Sequence, residues 1–301
     1  MLRNELLVLM NTCRVDLGRE WEQQSTERTR GCQEIRLTRA GPHRSERVRR
    51  GAYLLSGRLV VVTDFSLLPT SSGRAGRRFE AVGERELYPA AVAAIATLPG
   101  AASGLTVVPE MTGPLGIPDF VALVGGQRNL DARARLRVPP ILSELDAQII
   151  AVLHPQAPRT VEYLQAQIQM RQDLLRSRLS SLRRSGAVAE TSTGAWVRDP
   201  GFTPGGSLYA VEAKVRDFPR ALKQARRYRT WAMNYVLVLG PLGPRAAKQA
   251  TEEVIADGGG LVIDGKWVRK PIVRRQTTLQ RIQAFEYLHA ALTTPPALGT
   301  A

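Results

Sequence analysis

The amino-acid sequence predicts an α/β protein in which a mixed central sheet is flanked by helices. Residues 79–138 and 199–292 alternate short apolar runs, bounded by Gly and Pro, with segments of helical apolar spacing. Between these two blocks, residues 139–198 have the helical spacing of a separate, inserted unit. Residues 1–78 are rich in Arg and polar side chains, and residues 293–301 form a tail that is expected to be flexible.

The two blocks predict strands and helices in a definite order. A helix with proline in its first turn is expected from Pro89 to Leu98. Strands follow over 105–110 and 120–124, and the pair Gly125-Gly126 turns the chain. In the second block, strands are expected over 207–214 and 235–239, and a strand with a basic hairpin over 261–266. Helices are expected between them, over 219–231 and 244–256, and at the end, over 280–292.

The charge balance favours an acidic partner. The 301-residue chain has 42 Lys and Arg against 27 Asp and Glu, a net charge of +15. Arg, which forms bidentate contacts with phosphate, supplies most of this excess, so nucleic acid is the expected partner. An anionic membrane surface is a weaker alternative, and a merely basic surface is also compatible with the composition.

Cysteine and hydropathy patterns narrow the class further. Cys13 and Cys32 are the only cysteines, and no Cys/His cluster with zinc-ligand spacing occurs. Such sparse cysteine usage fits a reducing cytoplasm. No segment approaches about 20 uninterrupted apolar residues, so no membrane span is expected. We therefore expect a cytoplasmic protein.

The N-terminal region, residues 1–78, is expected to have little order. It has too few aliphatic side chains to offset the entropy cost of folding. A strand is nevertheless expected from Arg58 to Thr63. The region is interpreted either as a nucleic-acid-binding arm or as an over-extended start without a function.

Residues 139–198 are expected to form three helices and a hairpin. Thr160 is a suitable N-cap for the second helix, and the third is expected from Gln172 to Arg184. Two short strands follow, over 188–191 and 195–198. The first helix is predicted by four apolar residues at helical spacing, Leu142, Leu145, Ile149 and Val152.

This pattern resembles the winged helix-turn-helix. The third helix has an apolar stripe of Leu175, Leu179 and Leu182, and its opposite side is basic. The resemblance implies that this helix enters the major groove of DNA. The alternative is that its arginines are a solvated face and that the unit binds protein. The residues implied in DNA binding are Arg171, Arg176, Ser180, Arg183 and Arg184.

A charged pair ends the strand over 207–214. Side chains alternate between the faces of a strand, so Glu212 and Lys214 share a face with Leu208 and Ala210. Burying a charge costs free energy unless the charge is paired or bound to a metal. The strand therefore carries either a self-neutralising ion pair or part of an active site.

With residues 139–198 set aside, the order of motifs resembles the PD-(D/E)XK nuclease superfamily, which has the restriction-endonuclease-like fold. Pro118-Asp119 matches the first half of the motif and Glu212-Ala213-Lys214 the second. Glu86 opens the first helix, where several families of this superfamily place an acid, although Glu84 competes for that role. Glu110 ends the preceding strand, another position that is often acidic.

A further match lies on the helix after Lys214. Gln224 and Tyr228 form the Gln-x-x-x-Tyr pattern of RecB-type members, and they share the helix face of Ala221 and Ala225 that should pack on the sheet.

The resemblance implies a metal-dependent DNA endonuclease. Mg²⁺ or Mn²⁺ would be held by Asp119, Glu212, Glu86 and the Ala213 carbonyl, because these hard cations prefer oxygen ligands. Lys214 would orient the attacking hydroxide. The candidate catalytic residues are Glu86, Asp119, Glu212, Lys214, Gln224 and Tyr228.

Each of these residues also has an ordinary structural interpretation. Pro118-Asp119 could be a simple turn before a strand, where Asp is common. Glu212 and Lys214 could pair on an edge strand, and the helix dipole would favour Glu86 at the start of a helix. At the level of function, a DNA-binding regulator that does not cleave is the main alternative. A subunit active only within a defence, repair or mobile-element complex is another, and a homodimer is also open.

Overall fold

The computed structural model describes residues 51–55, 58–62 and 83–293. The predictions of low order for residues 1–78 and of a flexible tail therefore concern segments that lie largely outside the described residues. Two strands fall within the N-terminal region, and the second begins at Arg58, as the sequence predicts. The described strands are β1 (Gly51–Leu55), β2 (Arg58–Val62), β3 (Leu105–Pro109), β4 (Phe120–Val124), β5 (Val188–Glu190), β6 (Trp196–Arg198), β7 (Ser207–Lys214), β8 (Asn234–Leu239), β9 (Gly260–Ile263) and β10 (Lys266–Arg269).

The described helices follow the predicted order, with ends that differ by a few residues. Residues 83–86 are also helical and lead into the first of them. The helices are α1 (Tyr88–Ala96), α2 (Gln127–Arg135), α3 (Glu144–Val152), α4 (Val161–Ile168), α5 (Gln172–Ser185), α6 (Phe218–Tyr228), α7 (Pro244–Asp257) and α8 (Thr278–Thr293). Among the described helices, none is long and apolar enough to cross a lipid bilayer.

Eight described strands form one mixed sheet in the order β1-β2-β3-β4-β7-β8-β9-β10. Strand β4 is antiparallel to both of its neighbours, β3 and β7, whereas β7, β8 and β9 are parallel. Helix α1 packs on one face, where Ala91 and Ile95 meet Phe120 and Val211. Helices α6, α7 and α8 pack on the other face. The predicted mixed α/β class, with helices on both sides of the sheet, is confirmed.

Residues 139–198 supply most of one hydrophobic core, which residues from outside the insert, such as Phe202 and Ile282, complete. Helices α3, α4 and α5 bury Ile150, Leu164, Leu175 and Leu179, and the hairpin β5–β6 adds Trp196. The predicted N-cap is confirmed, since the Thr160 hydroxyl accepts a hydrogen bond from the N–H of Tyr163.

The first helix of this unit buries only part of the predicted face, since Ile149 is buried as expected but Leu142 and Leu145 are not. It begins at Glu144, so Leu142 lies outside it, and Leu145 is exposed. Ala147 and Ile150 are buried instead, because α3 packs against both α4 and the C-terminal helix α8. Packing from two sides therefore overrides the simple apolar stripe of the sequence.

Helix α2 is an element that the sequence pattern does not predict, because its nine residues are mostly polar. Its anchor is Arg133, whose side chain is fully buried. The guanidinium donates to both carboxylate oxygens of Glu286 on α8, at 2.6 and 2.7 Å, and to the carbonyl oxygens of Val138 and Pro139. It also stacks on the ring of Phe202, 4.4 Å from the centroid.

This ion pair joins three parts of the fold. Arg133 lies in the first block and Glu286 in the terminal helix, and Glu286 also accepts from the N–H of Ile141 at the start of the insert. Every side-chain nitrogen and oxygen of the pair therefore has a hydrogen-bond partner, which such a pair requires if it is not to destabilise the fold.

We expect Arg133→Met to lower the free energy of unfolding by about 3–5 kcal/mol, because it leaves the charge of Glu286 buried without a cationic partner. The measurement is urea denaturation followed by circular dichroism. Arg135→Met, an exposed change on the same helix, is the matched control and should unfold as the wild type does. Equal transition midpoints for the two variants would contradict the role of the pair.

Candidate active site

Asp119 precedes β4 and lies beside the end of β7. The two strands are antiparallel, with Phe120 opposite Val211, so the pairing extended by one residue brings Asp119, before Phe120, opposite Glu212, after Val211. The carboxylate of Asp119 accepts a hydrogen bond at 2.7 Å from the N–H of Ala213. Its other oxygen accepts from the hydroxyl of Tyr88, at 3.2 Å. The backbone of β7 and the first residue of α1 thus hold this carboxylate in place.

Glu212 is buried on the face of the sheet that α6 covers, with 3% of its surface exposed. The hydroxyl of Tyr228, on α6, donates to one of its carboxylate oxygens at 2.9 Å. The ammonium of Lys214 lies 3.2 Å from the other oxygen. The predicted packing of α6 is confirmed, since Ala221, Ala225 and Tyr228 are all buried against the sheet.

Lys214 also contacts an acid from the helix before α1, and that acid is Glu84. The Glu84 carboxylate lies 3.0 Å from the Lys214 ammonium, whereas Glu86 is exposed. Residues two apart are about 200° apart around a helix, so one of them faces the site and the other faces away. The sequence predicts that Glu86 is the acid of the site from this helix, with Glu84 as the alternative. In the structure that acid is Glu84.

Tyr88 is a site residue that the sequence reasoning did not identify. The sequence feature that could have identified it is the run Glu-Leu-Tyr-Pro. In this run Tyr88, which has a hydroxyl group, begins α1 two residues after the candidate acid Glu86. Glu110 does not join the carboxylates. Its side chain is exposed, and only its N–H contacts the site, by donating to the backbone carbonyl of Asp119.

The two carboxylates are desolvated and repel each other. Burial, followed by the charge of Asp119, raises the pKa of Glu212 to about 7 against the opposing effects of Lys214 and Tyr228. Burial also raises the pKa of Asp119, although the hydrogen bond from Ala213 opposes the shift. Burial lowers the pKa of Lys214, but the carboxylates of Glu212, Asp119 and Glu84 outweigh it, so the net pKa is raised and the ammonium stays charged.

These residues fit a hard divalent cation. Asp119 and Glu212 present carboxylate oxygens, which Mg²⁺ and Mn²⁺ prefer. The single ammonium of Lys214 cannot neutralise these two carboxylates and that of Glu84 as well. The side-chain oxygen of Gln224, one turn before Tyr228, is buried and has no hydrogen-bond partner among the described residues. Within that same part of the chain, no three acidic, His or Cys side chains form a ready ligand set. The fit therefore rests on two carboxylates and nearby neutral oxygens.

The residues predicted to bind DNA lie together on α5. Arg171, Arg176, Ser180, Arg183 and Arg184 are all exposed. Arg171 pairs with Asp173 and Arg183 with Glu190, each at 2.6 Å. Arg176 and Arg184 form no ion pair with any described residue, so their charges are available to a ligand. Three residues, Gln169 to Arg171, connect α4 to α5, and Gln169 adopts a left-handed conformation with φ of 55°.

Comparison with known proteins identifies neither a family nor a function for this chain. No family model matches the chain, and no curated protein or solved structure matches it at a significant level. Function must therefore be inferred from the geometry and chemistry of the site.

The raised pKa of Glu212 predicts a pH dependence of stability. In the unfolded chain this carboxyl titrates near 4.5 and in the folded protein near 7, so the folded state retains a proton that the unfolded state has released. In the presence of a chelator, the free energy of unfolding should fall by about 3 kcal/mol as the pH rises from about 5 to 8. Glu212→Gln should remove this fall.

Urea denaturation at several pH values measures the effect. Glu252→Gln, an exposed change on α7, is the control and should keep the wild-type pH dependence. A Glu212→Gln variant whose stability falls with pH as steeply as the wild type would contradict the assignment.

Proposed function

We propose that this protein is a metal-dependent DNA endonuclease that hydrolyses phosphodiester bonds. The observation that carries the proposal is the meeting of Asp119, Glu212 and Lys214 at the ends of two adjacent strands. They are brought together although 92 residues separate Asp119 from Glu212 in the sequence. A buried acid and a half-buried acid beside a charged lysine form a costly arrangement for a structural core, and hydrolysis of a phosphodiester gives it a use.

The topology around the site supports the proposal. Helix α1 is followed by three antiparallel strands, β3, β4 and β7, then by α6 and a parallel strand, β8. This order, with the Pro-Asp and Glu-x-Lys motifs on β4 and β7, is the one expected from the resemblance to PD-(D/E)XK nucleases. The inserted unit enters between β4 and β7, at the far end of these strands from the carboxylates.

Each side chain has a distinct role in the proposed reaction. Asp119, Glu212 and the Ala213 carbonyl would hold Mg²⁺ or Mn²⁺, which when bound neutralises phosphate charge and lowers the pKa of water. The ammonium of Lys214 would orient the nucleophile and stabilise negative charge on the phosphate. Tyr88 and Tyr228 each fix one carboxylate by a hydrogen bond, which is a positioning role.

Glu84 would hold Lys214 in place from the opposite side to Glu212. Its carboxylate and that of Glu212 contact the same ammonium, at 3.0 and 3.2 Å, so the lysine side chain has little freedom to leave the site. Gln224 offers one more oxygen, on the α6 face that also carries Tyr228.

The inserted unit supplies the proposed DNA recognition. Three helices followed by a hairpin, and a short turn between α4 and α5, are the features of a winged helix-turn-helix. Helix α5 would lie in the major groove, with Arg176 and Arg184 contacting phosphate or base edges. The net charge of +15 is consistent with such a partner.

We expect the purified protein to cleave plasmid DNA when Mg²⁺ or Mn²⁺ is added and not when a chelator is present. Asp119→Ala and Lys214→Ala should each lower the cleavage rate by about 100-fold or more, because each removes a group that acts on the reacting phosphate. Gel electrophoresis of supercoiled, nicked and linear plasmid measures the rate.

Two further variants test the reassigned acid. Glu84→Gln should lower the rate more than Glu86→Gln does, since only Glu84 contacts Lys214. Equal cleavage by wild type and by Asp119→Ala would refute the nuclease. Binding of DNA without any cleavage would instead favour a regulator.

For the inserted unit, we expect Arg176→Gln combined with Arg184→Gln to weaken DNA binding by about tenfold, because both arginines are exposed and unpaired among the described residues. Fluorescence anisotropy with a labelled duplex measures the dissociation constant. Arg171→Gln combined with Arg183→Gln is a useful comparison, since these two arginines are already paired with acids. An unchanged dissociation constant for the first pair would argue against DNA recognition by α5.

A further inference from the structure

A second basic surface lies outside the inserted unit, on α6. Arg220, Lys223 and Arg227 are exposed on this helix, and we call them the α6 stripe. At roughly 100° per residue, their spacing places all three within about 60° of one another around the helix axis. None of the three forms an ion pair with a described residue. The stripe is therefore a row of positive charge that no acid in the described part of the chain neutralises.

The stripe borders the candidate active site. Gln224 lies within about 60° of both Arg220 and Arg227 around the axis, and Tyr228, which donates to Glu212, lies just beyond it. Tyr228 fixes the carboxylate of Glu212, so the stripe lies next to the side of α6 that holds this acid.

The opposite flank of α6 has a different arrangement. There Arg226 pairs with Asp257 at 2.7 Å and with Glu253 at 3.7 Å, both on α7. Acids of the protein itself therefore neutralise the cation on the flank that faces α7. On the solvent-facing side, which continues through Arg220 toward Gln224, the cations are left open.

Folding alone gives no reason for the stripe. Like charges three and four residues apart destabilise a helix, and a cation in the first turn opposes the helix dipole. Arg220 lies in that first turn, which contains no acidic residue. An external anion bound along the stripe would relieve both effects.

We propose that the α6 stripe binds the phosphate backbone of DNA next to the bond that is cut, independently of α5. The proposal rests on the proposed function for the identity of the ligand. The stripe extends for about 10 Å at 1.5 Å per residue. This length matches about three nucleotides at 3.4 Å each along the DNA axis. A strand held there by sequence-independent contacts would pass the carboxylates of Asp119 and Glu212.

The test compares two triple variants in DNA binding, with a chelator present to prevent cleavage. The first is Arg220→Gln, Lys223→Gln and Arg227→Gln. The matched control is Arg128→Gln, Arg135→Gln and Arg137→Gln, which removes three exposed charges at or near α2, at the far end of the sheet from the site. Anisotropy is measured with two labelled duplexes of unrelated sequence over a range of salt concentrations.

For the stripe variant we expect the dissociation constant to rise about tenfold or more for both duplexes, because phosphate contacts carry no sequence information. The slope of log affinity against log salt should become shallower by about 3, at about 0.9 for each phosphate that the protein no longer neutralises. The control should stay close to the wild type. Neither triple variant should unfold at a lower temperature than the wild type, since every substituted residue is exposed.

Three results would overturn the proposal. Equal affinities and salt slopes for the stripe variant and the control would show that DNA does not contact the stripe, while wild-type cleavage of plasmid would leave the nuclease intact. Unchanged DNA binding together with weakened binding to vesicles of phosphatidylserine and phosphatidylcholine would assign the stripe to a membrane surface. If the wild type bound no DNA, both the stripe and the proposed function would fall together.

Discussion

The antiparallel pairing of β4 with β7 is the constraint on which the candidate site depends. Its register, with Phe120 opposite Val211, carries Asp119 to the N–H of Ala213 and so to the neighbourhood of Glu212 and Lys214. A shift of one residue would turn Glu212 to the other face of the sheet, away from Tyr228. The apolar side chains of both strands prevent such a shift, because their alternate faces are buried on both sides of the sheet.

The charges at the end of these strands are stable only as a group. Asp119 and Glu212 are buried close enough that each disfavours the ionised form of the other, and Lys214 offsets part of this cost. Two tyrosine hydroxyls and one backbone N–H satisfy the carboxylate oxygens. The remaining imbalance is what a bound cation would remove, so the same physical chemistry accounts for the raised pKa values and supports the proposed reaction.

A second buried ion pair decides where the inserted unit sits. Arg133 and Glu286 bind each other and the backbone at the start of the insert, and α8 then packs against α3. The proposed recognition helix is thereby fixed to the sheet through a buried polar contact, rather than joined by a loose linker. If α5 and the α6 stripe both bind DNA, this anchor would set the distance between them.

The sequence by itself determined most of the order of helices and strands, and the motifs that carry Asp119, Glu212 and Lys214. These follow from local periodicity, capping and turn residues, which depend on neighbours in the chain. Only the tertiary structure decided that Glu84 and Tyr88 face the site, that Gln224 has an oxygen without a partner among the described residues, and that the polar helix α2 forms around Arg133. The physical reason is that these contacts join residues far apart in sequence, and the rotation of each helix against the sheet is set by packing from both sides.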